Sequence, residues 1–156
     1  MKFQKILNRV LEVFLVILMS VLVLDVLWQV FSRYLLASPS SFTDELAGFL
    51  LIWVGVLGAA YVAGRKEHLA IDILIQRSSP ARQRSLGFFI HALILLFALS
   101  VMVIGGSSLV YSRFVLNVKS AALQLPLGYV YSVLPISGAV IVYYEILHMI
   151  DLKKSR

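Results

Sequence analysis

Residues 46–64 read LAGFLLIWVGVLGAAYVAG, nineteen residues without a single charge. A helix that crosses the hydrocarbon core of a bilayer needs about 20 mostly apolar residues. Two further uncharged stretches are long enough, at 86–112 and 120–144, and an apolar stretch at 10–36 precedes them all. The sequence therefore predicts four transmembrane helices in one membrane domain that covers 1–156.

The composition supports a membrane protein. Hydrophobic residues make up 60% of the 156 residues and charged residues 14%, against roughly 45–50% and 25% in soluble domains. A small soluble domain leaves much of its surface in water and could not cover so much apolar area. These values disfavour a soluble enzyme, a nucleic-acid-binding protein and a disordered chain. Because backbone groups in lipid must bond internally, we expect an all-α integral membrane protein.

The basic residues predict an orientation. Eleven of the 14 Lys and Arg residues fall on the side of the bilayer that holds both termini and the connection between the second and third spans. The positive-inside rule then places both termini in the cytoplasm. The first span continues through Asp25 and Arg33 without a small-x-small cleavage site, so we expect a retained span rather than a cleaved signal peptide.

Two connections have distinct patterns. In the first outer connection, Asp44 and Glu45 follow serines and a proline. The two acids either stabilise the positive end of the next helix or contact a partner. The inner connection, 65–85, places apolar residues among polar ones, which predicts a short helix lying in the interface between spans two and three.

Small residues predict a close helix contact on the second span. Five residues fall on one side of the helix, Gly48, Gly55, Ala59, Val62 and Ala63, and small residues let backbones approach closely in membranes. The facing helix could belong to this chain or to a partner. In the fourth span, Pro126 and Pro135 predict an entry point and a kink.

A polar stripe crosses the outer half of the first span. Asp25, Gln29 and Arg33 are spaced i, i+4 and i+8 and so share one helix face. They either pair locally through Gln29 or face a protein partner, which would keep Asp25 out of lipid. Spans two to four contain no acid within the boundaries given above, which argues against ion transport by this chain alone.

Sites for cofactors, metals and catalysis are not predicted. The chain has no Cys, and it has no motif of a metalloprotease, a serine hydrolase or a phosphate-binding loop. Three histidines, His68, His91 and His148, lie near the predicted cytoplasmic ends of their spans. A bis-histidine haem would need two facing imidazoles at one depth. We expect instead an interfacial polar contact, of Glu145 with His148, Arg65 or Lys66.

Several segments together resemble one family, the small membrane subunit (DctQ-type) of tripartite ATP-independent periplasmic (TRAP) transporters. The segments are Phe31-Ser-Arg-Tyr34, Asp44-Glu45 with Trp53, Gly58-Ala-Ala60, His68-Leu-Ala-Ile-Asp72, and Leu125-Pro-Leu-Gly-Tyr-Val-Tyr131 with Pro135. Each motif is weak alone, but their order, their spacing and the four-span frame make the joint resemblance specific.

The resemblance implies a three-part importer in the bacterial inner membrane. A periplasmic binding protein captures an organic acid, such as a C4-dicarboxylate or a sialic acid. A large (M-type) membrane subunit then carries it across as a sodium-driven elevator. The small subunit pairs with the large one, enlarges its static scaffold and helps to dock the binding protein, and it has no substrate or sodium site. The alternative function is a haem- or quinone-binding membrane anchor of a redox complex.

The resemblance and the spacing together suggest roles for three groups of residues. Periplasmic docking is expected of Arg33, Asp44 and Glu45. Contacts between subunits or helices are expected of Asp25, Gln29, Gly48, Gly55 and Ala59. Anchoring in the membrane is expected of Trp28, Tyr34 and Trp53.

Overall fold

The computed structural model describes residues 2–36, 40–65 and 80–154. Its helices are α1 (Lys2–Tyr34), α2 (Ser41–Arg65), α3 (Pro80–Phe97), a π-helical segment (Ala98–Gly105), α4 (Gly106–Val115), α5 (Leu127–Tyr131) and α6 (Val133–Lys154). The predicted interfacial helix falls largely on 66–79, which lies outside the described residues together with His68.

Four helical stretches are long and apolar enough to cross a bilayer. They are Gln4–Tyr34, Ser41–Arg65, Ser85–Val115 and Leu127–Leu152. The third combines α3, the π-helical segment and α4, and the fourth combines α5 and α6. The prediction of an all-α protein with four spans is confirmed.

The fourth span lies further along the chain than its uncharged stretch suggests. The helix begins at Leu127, because Gln124 has a left-handed φ of 55° and Pro126 is extended at φ −60° and ψ 119°. The helix then breaks at Ser132, three residues before Pro135. Pro135 has no N–H to donate, so it fits the first turn of α6 better than a helix interior.

Helix α6 forms the centre of the bundle. It packs against α2, α3 and the π-helical segment, whereas α1 packs against α2. The largest fully buried side chains all belong to α6: Val133, Ser137, Tyr144 and Glu145. Tyr144 lies over Gly64 of α2, where an added Cβ would meet the ring at 2.7 Å. Gly64 therefore allows α2 and α6 to approach closely.

The π-helical segment meets α6 at a second close approach. An added Cβ at Gly138 would lie 2.7 Å from the Cβ of Met102. Inserted π turns shift a helix face locally and are found mostly as short interruptions of α-helices. Here the π-helical segment brings the Met102 backbone against Gly138, the glycine of α6, where no side chain stands between the two helices.

The outer surface is strongly apolar. Most of the large hydrophobic side chains along α1 are exposed. Exposed apolar patches of this extent are unusual on soluble proteins. In a membrane, lipid tails would cover them and keep them out of water. The structure therefore agrees with a multi-pass membrane protein.

Candidate interaction site at one end of the bundle

The polar stripe of α1 reaches across to α2. Gln29 Nε2 donates a hydrogen bond to Asp44 Oδ1, and Arg33 Nη2 lies 3.9 Å from the same oxygen. Asp25 is buried inside the bundle, and its Oδ2 accepts no hydrogen bond from the residues the structure describes. Gln29 thus turns toward Asp44, and local pairing of Gln29 with Asp25 is not observed.

The ion pair between Arg33 and Asp44 lies at the surface. The two side chains are 54% and 65% exposed. Exposed pairs of this kind contribute about 0–1 kcal/mol to stability. Both charges therefore remain available to a partner, and either can be changed at small cost to the fold.

Glu45 holds the connection between α4 and α5. Its Oε1 accepts a hydrogen bond from the Ala121 N–H at 2.9 Å. Its Oε2 accepts from the N–H groups of Ala122 and Leu123 at 2.9 and 2.7 Å. Three consecutive backbone donors around one carboxylate form a charge-assisted contact. Glu45 therefore fixes the conformation of the α4–α5 connection at this end of the bundle.

The connection itself is ordered by its own backbone. Asn117 takes a left-handed φ of 48° after α4, and the Val118 N–H bonds to the Arg113 carbonyl at 3.1 Å, which closes the helix as a Schellman motif. An antiparallel bridge joins Lys119 to Pro126. Together with Glu45 these contacts present a structured loop beside Arg33 and Asp44.

The start of α2 is capped by a residue other than the two acids. Ser40 Oγ accepts from the Thr43 N–H at 3.5 Å, and the Ser40 carbonyl accepts from Thr43 Oγ1 at 3.0 Å. Asp44 follows in the first turn, where negative charge favours the helix, and Glu45 comes directly after it. Their side chains bind α1 and the α4–α5 connection, so the capping interpretation explains only part of their role.

Three of the small residues predicted to form a helix contact face outward. Gly48, Gly55 and Ala59 are exposed, and an added Cβ at either glycine meets no atom within 4 Å among the described residues. Ala63, which was predicted on the same face, is instead buried within the chain, and so is Ala60. The close contact expected for the exposed stripe is thus not made inside the described part of this chain.

Of the three aromatic residues predicted to anchor the helices, two are exposed and the third packs inside the bundle. Trp28 and Tyr34 are exposed near the end of α1, and exposed aromatic residues are typical of helix ends at a membrane interface. Trp53 lies about 18 Å along α2 at roughly 1.5 Å per residue, and its Nε1–H donates to the Val130 carbonyl at 2.9 Å. Trp53 therefore ties α2, about midway along its length, to α5 at the start of the fourth span.

A polar cluster near the other end of the bundle was predicted only in part, because the expected partners of Glu145 were His148, Arg65 or Lys66 and not His91. Glu145 lies inside the fourth helical span, fully buried, and its Oε2 lies 2.5 Å from His91 Nδ1. The uncharged stretch had ended one residue earlier, so the expectation of no acid within the later spans does not hold. The Glu-x-x-His spacing places Glu145 and His148 on one helix face, but no local pattern indicates that His91 of α3 meets them.

Comparison with known proteins identifies the family. The family described as "Tripartite ATP-independent periplasmic transporters, DctQ component" matches residues 22–154. The chain belongs to the DctQ family. It is a small permease subunit of a TRAP transporter and a multi-pass protein of the inner membrane, and it is not an enzyme. This membership favours the transporter interpretation over the haem- or quinone-binding alternative.

Two relatives cover most of this small permease subunit. A Haemophilus influenzae protein assigned as a TRAP transporter small permease is 27% identical over 136 residues, which is 86% of this chain and 81% of the relative. The sialic acid TRAP transporter small permease protein SiaQ of Vibrio cholerae is 24% identical over 151 residues, 97% of this chain and 86% of the relative. The similarity therefore extends over all four spans.

Proposed function

We propose that this small permease subunit binds the large membrane subunit of its transporter through the outward face of α2. The observation that carries the proposal is the stripe of Gly48, Gly55 and Ala59, which is exposed and uncovered by the described helices of this chain. Without a hydrophobic force between helices in lipid, association depends on close van der Waals packing, which small residues permit. Asp25 is buried within this chain, so the subunit contact falls on α2.

In this assembly the small subunit enlarges a fixed scaffold. An elevator-type large subunit needs a stationary part against which to move, and the additional spans of this chain provide one. The transporter imports an organic acid together with sodium, and the substrate and sodium sites belong to the large subunit. The relative named for sialic acid transport supports an organic acid as the substrate class.

The end of the bundle that carries Arg33 and Asp44 faces the periplasm in this proposal. The distribution of basic residues supports that orientation. The exposed pair and the neighbouring loop, held by Glu45, then form part of the docking surface for the periplasmic binding protein. Complementary charges on such surfaces govern association rate and specificity more than affinity.

The subunit contact is tested by co-purification. The chain and its large subunit are co-expressed, and the yield of the large subunit is measured for Gly55→Leu and Ala59→Leu. We expect both substitutions to reduce recovery of the complex strongly, because each adds bulk where the helices meet. Ser107→Leu, an exposed small residue on α4, is the matched control. Full recovery with both α2 variants would refute the proposed contact.

The docking surface is tested by transport. Uptake driven by the binding protein is measured in proteoliposomes that contain the complex with Arg33→Glu. The control is Arg9→Glu, which also disrupts an exposed pair, Arg9 with Glu12 at 3.5 Å, near the other end of α1. We expect only Arg33→Glu to raise the concentration of binding protein needed for half-maximal uptake. Unchanged uptake would show that Arg33 does not contribute to docking of the binding protein.

A further inference from the structure

The polar cluster between α3 and α6 combines three side chains with metal-binding chemistry. It consists of His91 on α3 and Glu145 and His148 on α6, and one ligand atom from each residue lies within 4.8 Å of the others. The two imidazole rings are 5.4 Å apart between centroids. The side chain of Glu145 is fully buried and His148 is 2% exposed.

Burial of Glu145 is costly unless its oxygens are satisfied. Oε2 contacts His91, but Oε1 is buried and accepts no hydrogen bond from the residues that the structure describes. A buried acceptor without a partner costs free energy, more so when it is charged. A buried carboxylate is normally paired or coordinates a metal. The unsatisfied oxygen points to a ligand that carries positive charge.

The arrangement of the helices suits a shared ion. Glu145 and His148 are spaced i, i+3, the Glu-x-x-His pattern by which helical bundles direct ligands inward, and His91 faces them from a second helix. Tetrahedral zinc with ligands at about 2.0–2.1 Å places those ligands roughly 3.3 Å apart. The ligand atoms, within 4.8 Å of one another, reach that spacing by small side-chain movements.

We propose that His91, Glu145 and His148 bind one Zn²⁺ ion that links α3 to α6. Two imidazoles and a carboxylate form a three-ligand set that zinc accepts with a water molecule as the fourth ligand. Imidazole ligands favour zinc over magnesium or calcium, which prefer oxygen ligands. His91 is 20% exposed, so this chain leaves one side of the site uncovered for the water ligand. The ion replaces the hydrogen-bonding proton between His91 and Glu145.

The proposal is tested on the full chain purified in detergent without a polyhistidine tag. The protein is stripped with a chelator, and bound zinc is measured by elemental analysis and by competition with a chromophoric chelator. We expect one Zn²⁺ per chain, with no comparable binding of Mg²⁺. Co²⁺ in the same site should give the visible absorption of a tetrahedral histidine site.

Two variants separate a metal site from an ordinary hydrogen bond. His91→Asn keeps an N–H donor toward Glu145 but removes a strong zinc ligand, and Glu145→Gln keeps the shape of the side chain. Each should weaken zinc binding by at least about 100-fold, since even partners outside the coordination shell contribute 10–100-fold. His68→Gln, which changes the third histidine of the chain, should leave binding unchanged.

Thermal unfolding provides a second readout. Zinc should raise the melting temperature of the unmodified chain and should not raise that of His91→Asn, because a ligand that binds only the folded state stabilises it. If Glu145→Gln does not fold, His91→Asn still gives the answer. The proposal is overturned if the chain retains no zinc, or if His68→Gln reduces binding as much as His91→Asn does.

Discussion

The contact between α6 and the π-helical segment predicts a stability difference between two similar substitutions. In Gly138→Ala the new methyl group would lie 2.7 Å from Met102 Cβ and 3.2 Å from the Met102 carbonyl carbon. An ordinary contact needs at least 3.4 Å, so the two helices must separate by about 0.7 Å. Because backbone atoms stand in the way, a side-chain rotation cannot relieve the overlap. Overpacking of this kind costs about 1–3 kcal/mol.

A matched control isolates that cost. At Gly58 an added Cβ meets nothing within 4 Å among the described residues. Both alanine substitutions increase helix propensity, by up to about 1 kcal/mol, so this gain cancels in the comparison. The free energy of unfolding of Gly138→Ala should therefore be about 1–3 kcal/mol below that of Gly58→Ala.

The assay is reversible unfolding of the isolated chain in mixed micelles of a mild detergent and dodecyl sulfate. Helix content and tryptophan fluorescence are followed together, and coincident transitions support a two-state analysis. Equal stability of the two alanine variants would show that α6 and the π-helical segment are not in tight contact, and the reasoning would be refuted.

Three further predictions concern hydrogen bonds made by side chains, and the first two use the same unfolding assay. Trp53→Phe removes the indole N–H bond to an α5 carbonyl and should lower the free energy of unfolding by about 1 kcal/mol; an unchanged value would remove that bond from the account of stability. Tyr144→Phe removes a buried hydroxyl bonded to α1 and should cost about 0.5–1.5 kcal/mol. Its control, Tyr111→Phe at an exposed hydroxyl, should cost nothing measurable. Glu45→Gln should speed amide hydrogen exchange in the turn that Glu45 holds, whereas Asp44→Asn should not; equal exchange in the two variants would contradict the assigned role of Glu45.

The number and approximate position of the spans could be predicted because they depend on local composition. A run of about 20 apolar residues enters a bilayer whatever lies elsewhere in the chain. The uncharged stretch alone placed the start of the fourth span too early, at 120, whereas Pro126 indicated the entry point next to the observed start at Leu127. Residues 121–123 are apolar enough to begin a helix, but Glu45, 76 to 78 residues away, holds their N–H groups in a turn.

The candidate interaction site was predicted in part. The side chains of Gln29, Arg33 and Asp44 do meet, although the helical spacing alone placed Gln29 and Arg33 with Asp25 rather than Asp44. Spacing reports which residues share a helix face, but it does not report which neighbouring helix that face meets. The pairing of Glu145 with His91 shows the same limit across 54 residues of sequence.

The sequence alone determined that this chain enters a membrane as four helices, since uninterrupted apolar runs of about 20 residues cross lipid as helices that satisfy their own backbone hydrogen bonds. It also carried enough of the family pattern to indicate a TRAP small permease subunit. Only the tertiary structure decided which helix faces are inside. In a soluble protein the apolar face of a helix is the buried one. In a membrane both faces are apolar, because lipid is as apolar as a packed interior, so hydrophobicity does not show which face is inside. The outward Gly55 and the buried Ala60 therefore have similar local sequences, and packing alone distinguishes them.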